Sequence, residues 1–189
     1  MSSPALLLHV CCAPCASACI ERLLREDRRV ALYYSNSNIV SEEEYEKRLF
    51  WVKALAEHHA LELVADPYDH AAWLRHISEI GGYASCREGG ERCRHCFAWS
   101  LGRTAAEAAR RNMNFCTSLT VSPHKNTGTI FEIGSRWGHF ETYDFKKKDG
   151  FKRSLELSRQ FGFYRQSFCG CEFSLCPGES NKKTCLQLQ

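Results

Sequence analysis

The 189-residue sequence contains no long hydrophobic run, no marked excess of charge and no low-complexity segment. No stretch approaches the roughly 18 apolar residues that a membrane-spanning helix needs. The apolar run at residues 5–8 is too short for a secretory signal peptide and lacks a basic flank, so we expect a cytoplasmic protein with no membrane partner. The formal net charge of +3 is too small to indicate nucleic-acid binding by itself.

Glycine is missing from the turn that follows the first predicted strand. Residues 5–8 are typical of a buried strand, and residues 17–24 have the pattern of a helix. In nucleotide-binding α/β proteins, this turn carries glycines that let the backbone approach a phosphate. Here it carries Cys11, Cys12 and Cys15 instead. Thiols are soft ligands, so the turn indicates a metal or redox centre rather than a phosphate site.

Cysteine is the residue that the chain has in excess, with twelve copies. In a protein that is not exported, such a count indicates metal binding or catalysis more often than disulfides. Seven of the cysteines fall in three clusters: Cys11, Cys12 and Cys15, then Cys93 and Cys96, then Cys169 and Cys171.

Alternating strand and helix patterns predict a single α/β catalytic domain over residues 1–176. Strands are predicted at residues 5–8, 30–34, 61–64, 115–120 and 140–145. Helices are predicted at residues 17–24, 71–77, 91–111, 130–137 and 154–161, and Ser41 with Glu44 forms a capping box for one more. This alternation favours a mainly parallel sheet flanked by helices. Residues 177–189 are polar, and we expect them to form a flexible C-terminal tail.

The three cysteine clusters are expected to converge at the carboxyl edge of this sheet. The carboxyl ends of parallel strands and the amino ends of the following helices meet there. Cys93 and Cys96 are three positions apart at the start of a predicted helix, so they share one face. The free N–H groups and the positive dipole at that helix start would stabilise thiolates. We therefore predict a metal site at this edge.

The spacing of the cysteines leaves more than one kind of metal centre open. A zinc ribbon pairs two C-x-x-C knuckles roughly 15–20 residues apart, whereas residues 16–92 separate Cys15 from Cys93. A structural zinc site assembled from distant elements is still an alternative. Neighbouring side chains such as those of Cys11 and Cys12 diverge, which a cubane cluster or two adjacent metals accommodates better. Seven thiols also exceed the four that one cluster needs.

The five other cysteines have simpler interpretations. Cys116 lies in a predicted strand and is expected to be a small buried hydrophobic residue. Cys19 follows Cys15 by one helical turn and could reach the site. Cys86, Cys176 and Cys185 lie in loop or tail positions and are expected to have no role in the site.

Six motifs make the chain similar to a known family nearly end to end. They are LHVCCAP at residues 8–14, EEEYEKRL at 42–49, RCRHCF at 92–97, SLTVSPHK at 118–125, YDFK at 143–146 and FYRQSFCGCEFS at 163–174. On these motifs, the chain resembles the cobalamin-independent epoxyqueuosine reductases of the QueH type. The resemblance implies a Rossmann-like α/β domain of the kind found in nucleotide α-hydrolase proteins. It also implies two-electron deoxygenation of epoxyqueuosine in tRNA to queuosine.

The same resemblance implies two metal cofactors and an external electron donor. One cofactor is a [4Fe–4S] cluster and the other is an adjacent mononuclear metal, expected to be iron. Carried over residue by residue, the cluster ligands are Cys11, Cys12, Cys93 and Cys96. The ligands left for the second iron are Cys15, Cys169 and Cys171.

Deoxygenation of an epoxide also consumes protons, for which the sequence offers three candidate donors. His9, Asp144 and Tyr164 have side chains that can transfer a proton. Each has a structural interpretation beside the catalytic one. His9 could be a core histidine, Asp144 a turn residue at a strand end, and Tyr164 a packing residue.

A tRNA substrate would give a function to the basic residues of the second half of the chain. An anticodon loop presents phosphates and splayed bases, which basic and aromatic side chains can bind. Phe151 and Tyr164 are the aromatic residues interleaved among them. The predicted RNA-binding residues are Lys125, Lys146, Lys147, Lys148, Lys152, Arg153 and Arg165.

Two other functions are compatible with a cysteine-rich α/β chain. A cluster-dependent tRNA thiolation enzyme activates its substrate with ATP through a Ser-Gly-Gly-x-Asp-Ser loop after the first strand, and the Cys-Cys-Ala-Pro-Cys sequence here counts against it. A non-catalytic, zinc-bound RNA-binding module leaves the third thiol cluster unexplained.

Overall fold

Two layers of helices cover a four-stranded parallel sheet in residues 5–175, the part of the chain that the computed structural model describes. The strands are β1 (Leu6–His9), β2 (Val30–Tyr34), β3 (Leu63–Ala65) and β4 (Asn114–Thr117). The helices are α1 (Ala13–Arg25), α2 (Glu42–His58), α3 (His70–Ser78), α4 (Glu91–Arg110), α5 (Thr127–Gly134) and α6 (Gly150–Phe161). The predicted parallel α/β architecture is confirmed.

Strand β1 lies at the centre of the sheet, whose spatial order is β3-β2-β1-β4. His9, its last residue, pairs with Tyr33 on one side and Thr117 on the other. This order matches the first four strands of the doubly wound fold, in which the chain reverses its direction of winding beside β1. The crevice outside the carboxyl end of β1 is therefore the place where such folds bind ligands.

The side chains of β1 alternate between the two faces of the sheet because the strand has a period of two residues. Leu6 and Leu8 are fully buried in the larger core, which α1 and α2 cover. Leu7 points the other way and packs with Ala108 of α4 and Phe115 of β4. Burial on both faces explains why the first strand has a continuous apolar sequence.

Helix α2 begins as the capping box predicts. The Ser41 hydroxyl accepts a hydrogen bond from the Glu44 backbone N–H at 3.2 Å. Four apolar residues at helical spacing form the face of this helix that packs on the core, and all are buried: Tyr45, Leu49, Val52 and Ala56.

The prediction of a strand at residues 140–145 is wrong. Only Phe140 makes a bridge, to Phe115, and the chain then leaves the sheet. Tyr143 and Phe145 instead stack on each other, with ring centroids 5.2 Å apart, and belong to the helix-covered core. The aromatic residues of this segment are thus buried by packing against helices and not by strand pairing.

Several predicted boundaries also shift, because local hydrogen bonds decide where elements begin and end. The strand predicted to reach residue 120 stops at Thr117, whose hydroxyl accepts the Leu119 N–H at 3.1 Å and turns the chain into a 3-10 helix. Helix α5 begins three residues early because Asn126 caps it through the Thr129 N–H. Helices α1 and α6 each begin four residues before the predicted start.

The described part of the chain contains no helix that is long and apolar enough to cross a membrane. The predicted tail at residues 177–189 lies outside the described residues, as do Cys176 and Cys185.

Candidate metal centre

The turn between β1 and α1 holds three thiols in one group. The ligand atoms of Cys11, Cys12 and Cys15 all lie within 4.8 Å of one another, and the Sγ atoms of Cys11 and Cys12 are 3.8 Å apart. Helix α1 starts at once after Cys12, with Pro14 in its first turn, where a missing N–H costs nothing. The early helix start brings Cys15 back beside the two cysteines of the turn.

A second group of thiols comes from the start of α4 and from the segment around Gly170. Cys93 and Cys96 lie in the first two turns of α4, and Cys169 and Cys171 flank the glycine. Burial raises the pKa of Cys93 to about 11 and raises the pKa of Cys96 well above its usual value, and the charges of Cys169 and Cys171 act in the same direction. The four thiols are therefore close enough to influence one another.

Two adjoining cavities join these groups. One is lined by Cys11, Cys12 and Cys15, and the other by Cys93 and Cys171. Cys96, Cys169 and Lys125 line both cavities. All seven cysteines of the three sequence clusters thus border one continuous region at the carboxyl edge of the sheet.

Cys12 is the thiol of the first group whose pKa is lowered. Hydrogen bonds from Cys11 and Cys15 lower its pKa, and the Gln166 side-chain amide also donates to its Sγ at 3.2 Å. The pKa values of Cys11 and Cys15 are raised, first by their hydrogen bonds within the group.

Lys125 is the cation that faces both groups of thiols. Its Nζ lies 3.7 Å from the Sγ of Cys169. The negative charge of Cys169 raises the pKa of this ammonium group above its usual value, and the other thiols of the cavity contribute to the rise.

Arg48 of α2 fixes the backbone that carries Cys169. Its guanidinium group is buried, pairs with Glu44 at 2.7 Å, and donates to the carbonyl oxygens of Phe168 at 3.5 Å and Cys169 at 3.1 Å. The next carbonyl, of Gly170, accepts the Val40 N–H at 2.9 Å. The sequence patterns alone did not assign a role to Arg48. Its position as a charged residue on the otherwise apolar face of α2 could have indicated a buried ionic contact.

Of the three predicted proton donors, only His9 lines a thiol cavity. It is buried, its Nε2 donates to the Ser35 carbonyl at 3.2 Å, and the Thr117 hydroxyl lies 2.9 Å from its Nδ1 and donates to it. Burial lowers the pKa of His9 to about 4. Both ring nitrogens of the neutral imidazole are thus engaged in joining the ends of the strands.

Asp144 and Tyr164 line neither thiol cavity in the described part of the chain. The Asp144 carboxylate accepts the Lys146 N–H at 3.2 Å. The Tyr164 hydroxyl donates to the Glu44 carboxylate at about the same distance, 3.1 Å, and the Lys47 ammonium lies 3.8 Å from its ring centroid. Both residues have structural partners, and their assignment as proton donors stays a prediction.

The predicted RNA-binding residues fall into separate places. Arg165 is exposed and lines the cavity that contains Cys12, whereas Lys147 and Lys148 are exposed beside α1 and α6 and line a different cavity. Lys152 is exposed on α6.

Three of the basic residues are engaged within the protein. Besides Lys125, described above, Lys146 donates from its Nζ to the Lys125 carbonyl at 2.6 Å. Arg153 forms a bidentate ion pair with Glu21, with N–O distances of 2.8 and 2.9 Å.

The remaining described cysteines do not line either of the two cavities. Cys116 is fully buried in β4, as predicted. Cys19 is also buried and donates from its Sγ to the Cys15 carbonyl at 3.1 Å, so it supports the turn of α1 without lining a thiol cavity. Cys86 lies in the loop before α4.

Comparison with known proteins adds a family to this geometry. A family model described as "Epoxyqueuosine reductase QueH" matches residues 6–176. The curated protein of that name from Streptococcus pyogenes serotype M1 is 34% identical over 180 residues, covering 90% of this chain and 70% of its own length. The one from Thermotoga maritima is 35% identical over 176 residues, covering 90% of both chains. These matches favour the reductase interpretation over the thiolation enzyme and the zinc-bound module.

Proposed function

Since the chain belongs to the epoxyqueuosine reductase QueH family, we propose that it removes the epoxide oxygen of epoxyqueuosine in tRNA to give queuosine. The reaction takes two electrons and two protons, breaks both carbon–oxygen bonds of the epoxide, forms a carbon–carbon double bond and releases water. The observation that carries this proposal is the meeting of seven cysteines around one cavity region at the carboxyl edge of the sheet. The electrons come from an external donor.

The donor set fits an iron–sulfur cluster together with a separate metal ion. Thiolates are the protein ligands of such clusters, and seven thiols exceed the four that a [4Fe–4S] cluster uses. When bound, the cluster supplies electrons one at a time, and the second metal, which we propose to be iron, acts as a Lewis acid.

The proposed cluster ligands are Cys11, Cys12, Cys93 and Cys96, which leaves Cys15, Cys169 and Cys171 for the second iron. Packing supports part of this division, because Cys11 and Cys93 both contact the apolar cluster that contains Phe97. The close group of Cys11, Cys12 and Cys15 supports a rival assignment in which Cys15 is a cluster ligand.

Single substitutions distinguish the two assignments. We expect Cys96→Ala to lose the cluster, with its iron, sulfide and absorbance, and Cys15→Ala to keep about four sulfides while losing the second iron. If Cys15→Ala instead loses its sulfide and Cys96→Ala keeps it, Cys15 is a cluster ligand and Cys96 is not. Cys86→Ala is the matched control, because Cys86 lines neither cavity.

The walls of the cavity that contains Cys12 suit a modified base. Phe97, Leu119, Phe151 and Phe168 provide apolar surface that excludes water from the thiols and can pack against a flat ring. Arg165 is exposed at the same cavity and can contact a neighbouring phosphate. These side chains would bind and orient the nucleoside with its epoxide toward the sulfur-rich end.

Further phosphates of the tRNA are proposed to bind the exposed cations beside α6. Lys147, Lys148 and Lys152 are available for this role because they are exposed. Arg153 contributes less to the attraction, since Glu21 already balances its charge. Lys125 is proposed to shape the cavity wall, and Lys146 is proposed to support it by donating to the Lys125 carbonyl oxygen. We also propose a cytoplasmic location, where tRNA is present and free thiols stay reduced.

Conversion of the modified base tests the proposed function directly. Protein loaded with iron and sulfide without oxygen is incubated with tRNA that contains epoxyqueuosine and a chemical reductant, and nucleosides are measured by mass spectrometry. We expect epoxyqueuosine to decrease and queuosine to increase with wild type and Cys86→Ala, and neither change with Cys96→Ala. Fully loaded wild-type protein that leaves epoxyqueuosine unchanged would refute the proposal.

A further inference from the structure

Gln166 makes a contact with the thiol group that the proposed chemistry does not yet use. Its side-chain Nε2 donates to the Sγ of Cys12 at 3.2 Å. Cys12 is 1% exposed, so little water competes for its sulfur. A neutral N–H that points at a buried sulfur is a specific electrostatic contact, and its strength grows with the negative charge on that sulfur.

The backbone on both sides of Gln166 is tied to α2. Two positions before it, Tyr164 donates its hydroxyl to Glu44 at 3.1 Å. Two and three positions after it, the carbonyls of Phe168 and Cys169 accept hydrogen bonds from Arg48. These anchors hold the segment over the cavity, so the amide of Gln166 is directed at Cys12 by the fold and not by chance rotation of a free side chain.

We propose that Gln166 is a positioning residue that orients the Cys12 sulfur and raises the reduction potential of the bound redox centre. This inference rests on the proposed function, in which Cys12 is a cluster ligand. One-electron reduction adds negative charge to the ligand sulfurs, and an N–H donor stabilises the reduced state more than the oxidised one. Removing the donor therefore makes the centre harder to reduce.

The substitution Gln166→Met tests the proposal, because methionine has nearly the same length and carries no N–H donor. Gln160→Met, on an exposed position of α6, is the matched control. The midpoint potential of the loaded protein is measured by a redox titration followed by electron paramagnetic resonance. We expect the reduction equilibrium constant to fall about tenfold in Gln166→Met, about 59 mV for a one-electron couple, at unchanged iron and sulfide content. Gln160→Met should match wild type.

A second measurement does not depend on an iron–sulfur cluster. Co(II) is added to the metal-free protein, and the sulfur-to-cobalt charge-transfer absorption that Cys12→Ala removes is compared between variants. We expect this absorption to move to lower energy in Gln166→Met, because an N–H bond stabilises the sulfur electrons. If Gln166→Met does not fold, Gln166→Asn keeps the amide but shortens the side chain by one methylene, and the same shifts are expected from it.

The two measurements separate failure of this inference from failure of the proposed function. Unchanged potential and unchanged absorption in the Gln166 variants would overturn the role of Gln166, whatever the activity of the enzyme. If the wild-type protein forms no cluster, the reductase proposal is refuted. If the cobalt absorption nevertheless differs between wild type and Gln166→Met, the contact of Gln166 with Cys12 is supported.

Discussion

Substitution of Gly170 by alanine should damage the metal centre through the backbone. Gly170 has a φ of +137°, which residues with a side chain rarely adopt. A Cβ at this position would lie 3.0 Å from Asn38 Nδ2 and 3.2 Å from Ile39 Cγ1. Backbone strain of about 1–3 kcal/mol and overpacking of about 1 kcal/mol together predict a loss of roughly 2–4 kcal/mol in the free energy of unfolding. The strain falls between Cys169 and Cys171, so metal binding should suffer as well.

Gly162→Ala is the control for this experiment. Gly162 ends α6 with a φ of +64°, and a Cβ there would meet no atom within 4 Å. Alanine in this left-handed conformation costs about 1–2 kcal/mol without moving a thiol. Urea unfolding of the metal-free proteins gives the two stability losses, and iron and sulfide content gives the metal loading. We expect both variants to be destabilised and only Gly170→Ala to lose metal. Equal and full loading of both would refute the argument that Gly170 positions the two thiols.

Two further predictions concern acid stability and RNA binding. Arg28 holds the pKa of the Glu141 carboxyl below its usual value through contacts of 2.7 Å. The ion pair therefore stabilises the folded state above the unfolded-state pKa of about 4.3, and this stabilisation is lost as the pH falls below that value. Glu141→Gln should flatten the fall of the urea midpoint in acid, and a fall as steep as that of wild type would contradict this. Lys147→Ala with Lys152→Ala should reduce the slope of log affinity for tRNA against log salt by about 1.4 if each lysine contacts one single-stranded phosphate. Lys53→Ala, another exposed lysine, is the control, and an unchanged slope in the double variant would move the RNA surface elsewhere.

Sequence patterns predicted the sheet well where burial on both faces dictates composition. The leucines of β1, at positions 6–8, form an unbroken apolar run because α1 and α2 cover one face and α4 covers the other. The same logic failed at residues 140–145, where aromatic side chains pack against helices and each other instead of pairing in the sheet. A run rich in apolar residues indicates burial, but it does not identify the kind of element that is buried.

The candidate site was predictable in its residue types but not in its internal arrangement. Soft ligands after β1 and at the start of α4 had to meet, because a parallel sheet brings those positions to one edge. The close group of Cys11, Cys12 and Cys15 depends on α1 starting directly after Cys12, which spacing alone did not predict. The roles of Arg48 and Gln166 depend on contacts across more than 100 residues, and local sequence carries little information about such contacts.

Metal and sulfide content of protein purified without oxygen tests the central claim most directly. We expect brown protein with about four to five irons and about four acid-labile sulfides per chain. Stoichiometric zinc without sulfide, reproduced after anaerobic reconstitution with iron and sulfide, would contradict it. A redox function for these seven cysteines would then have to be abandoned.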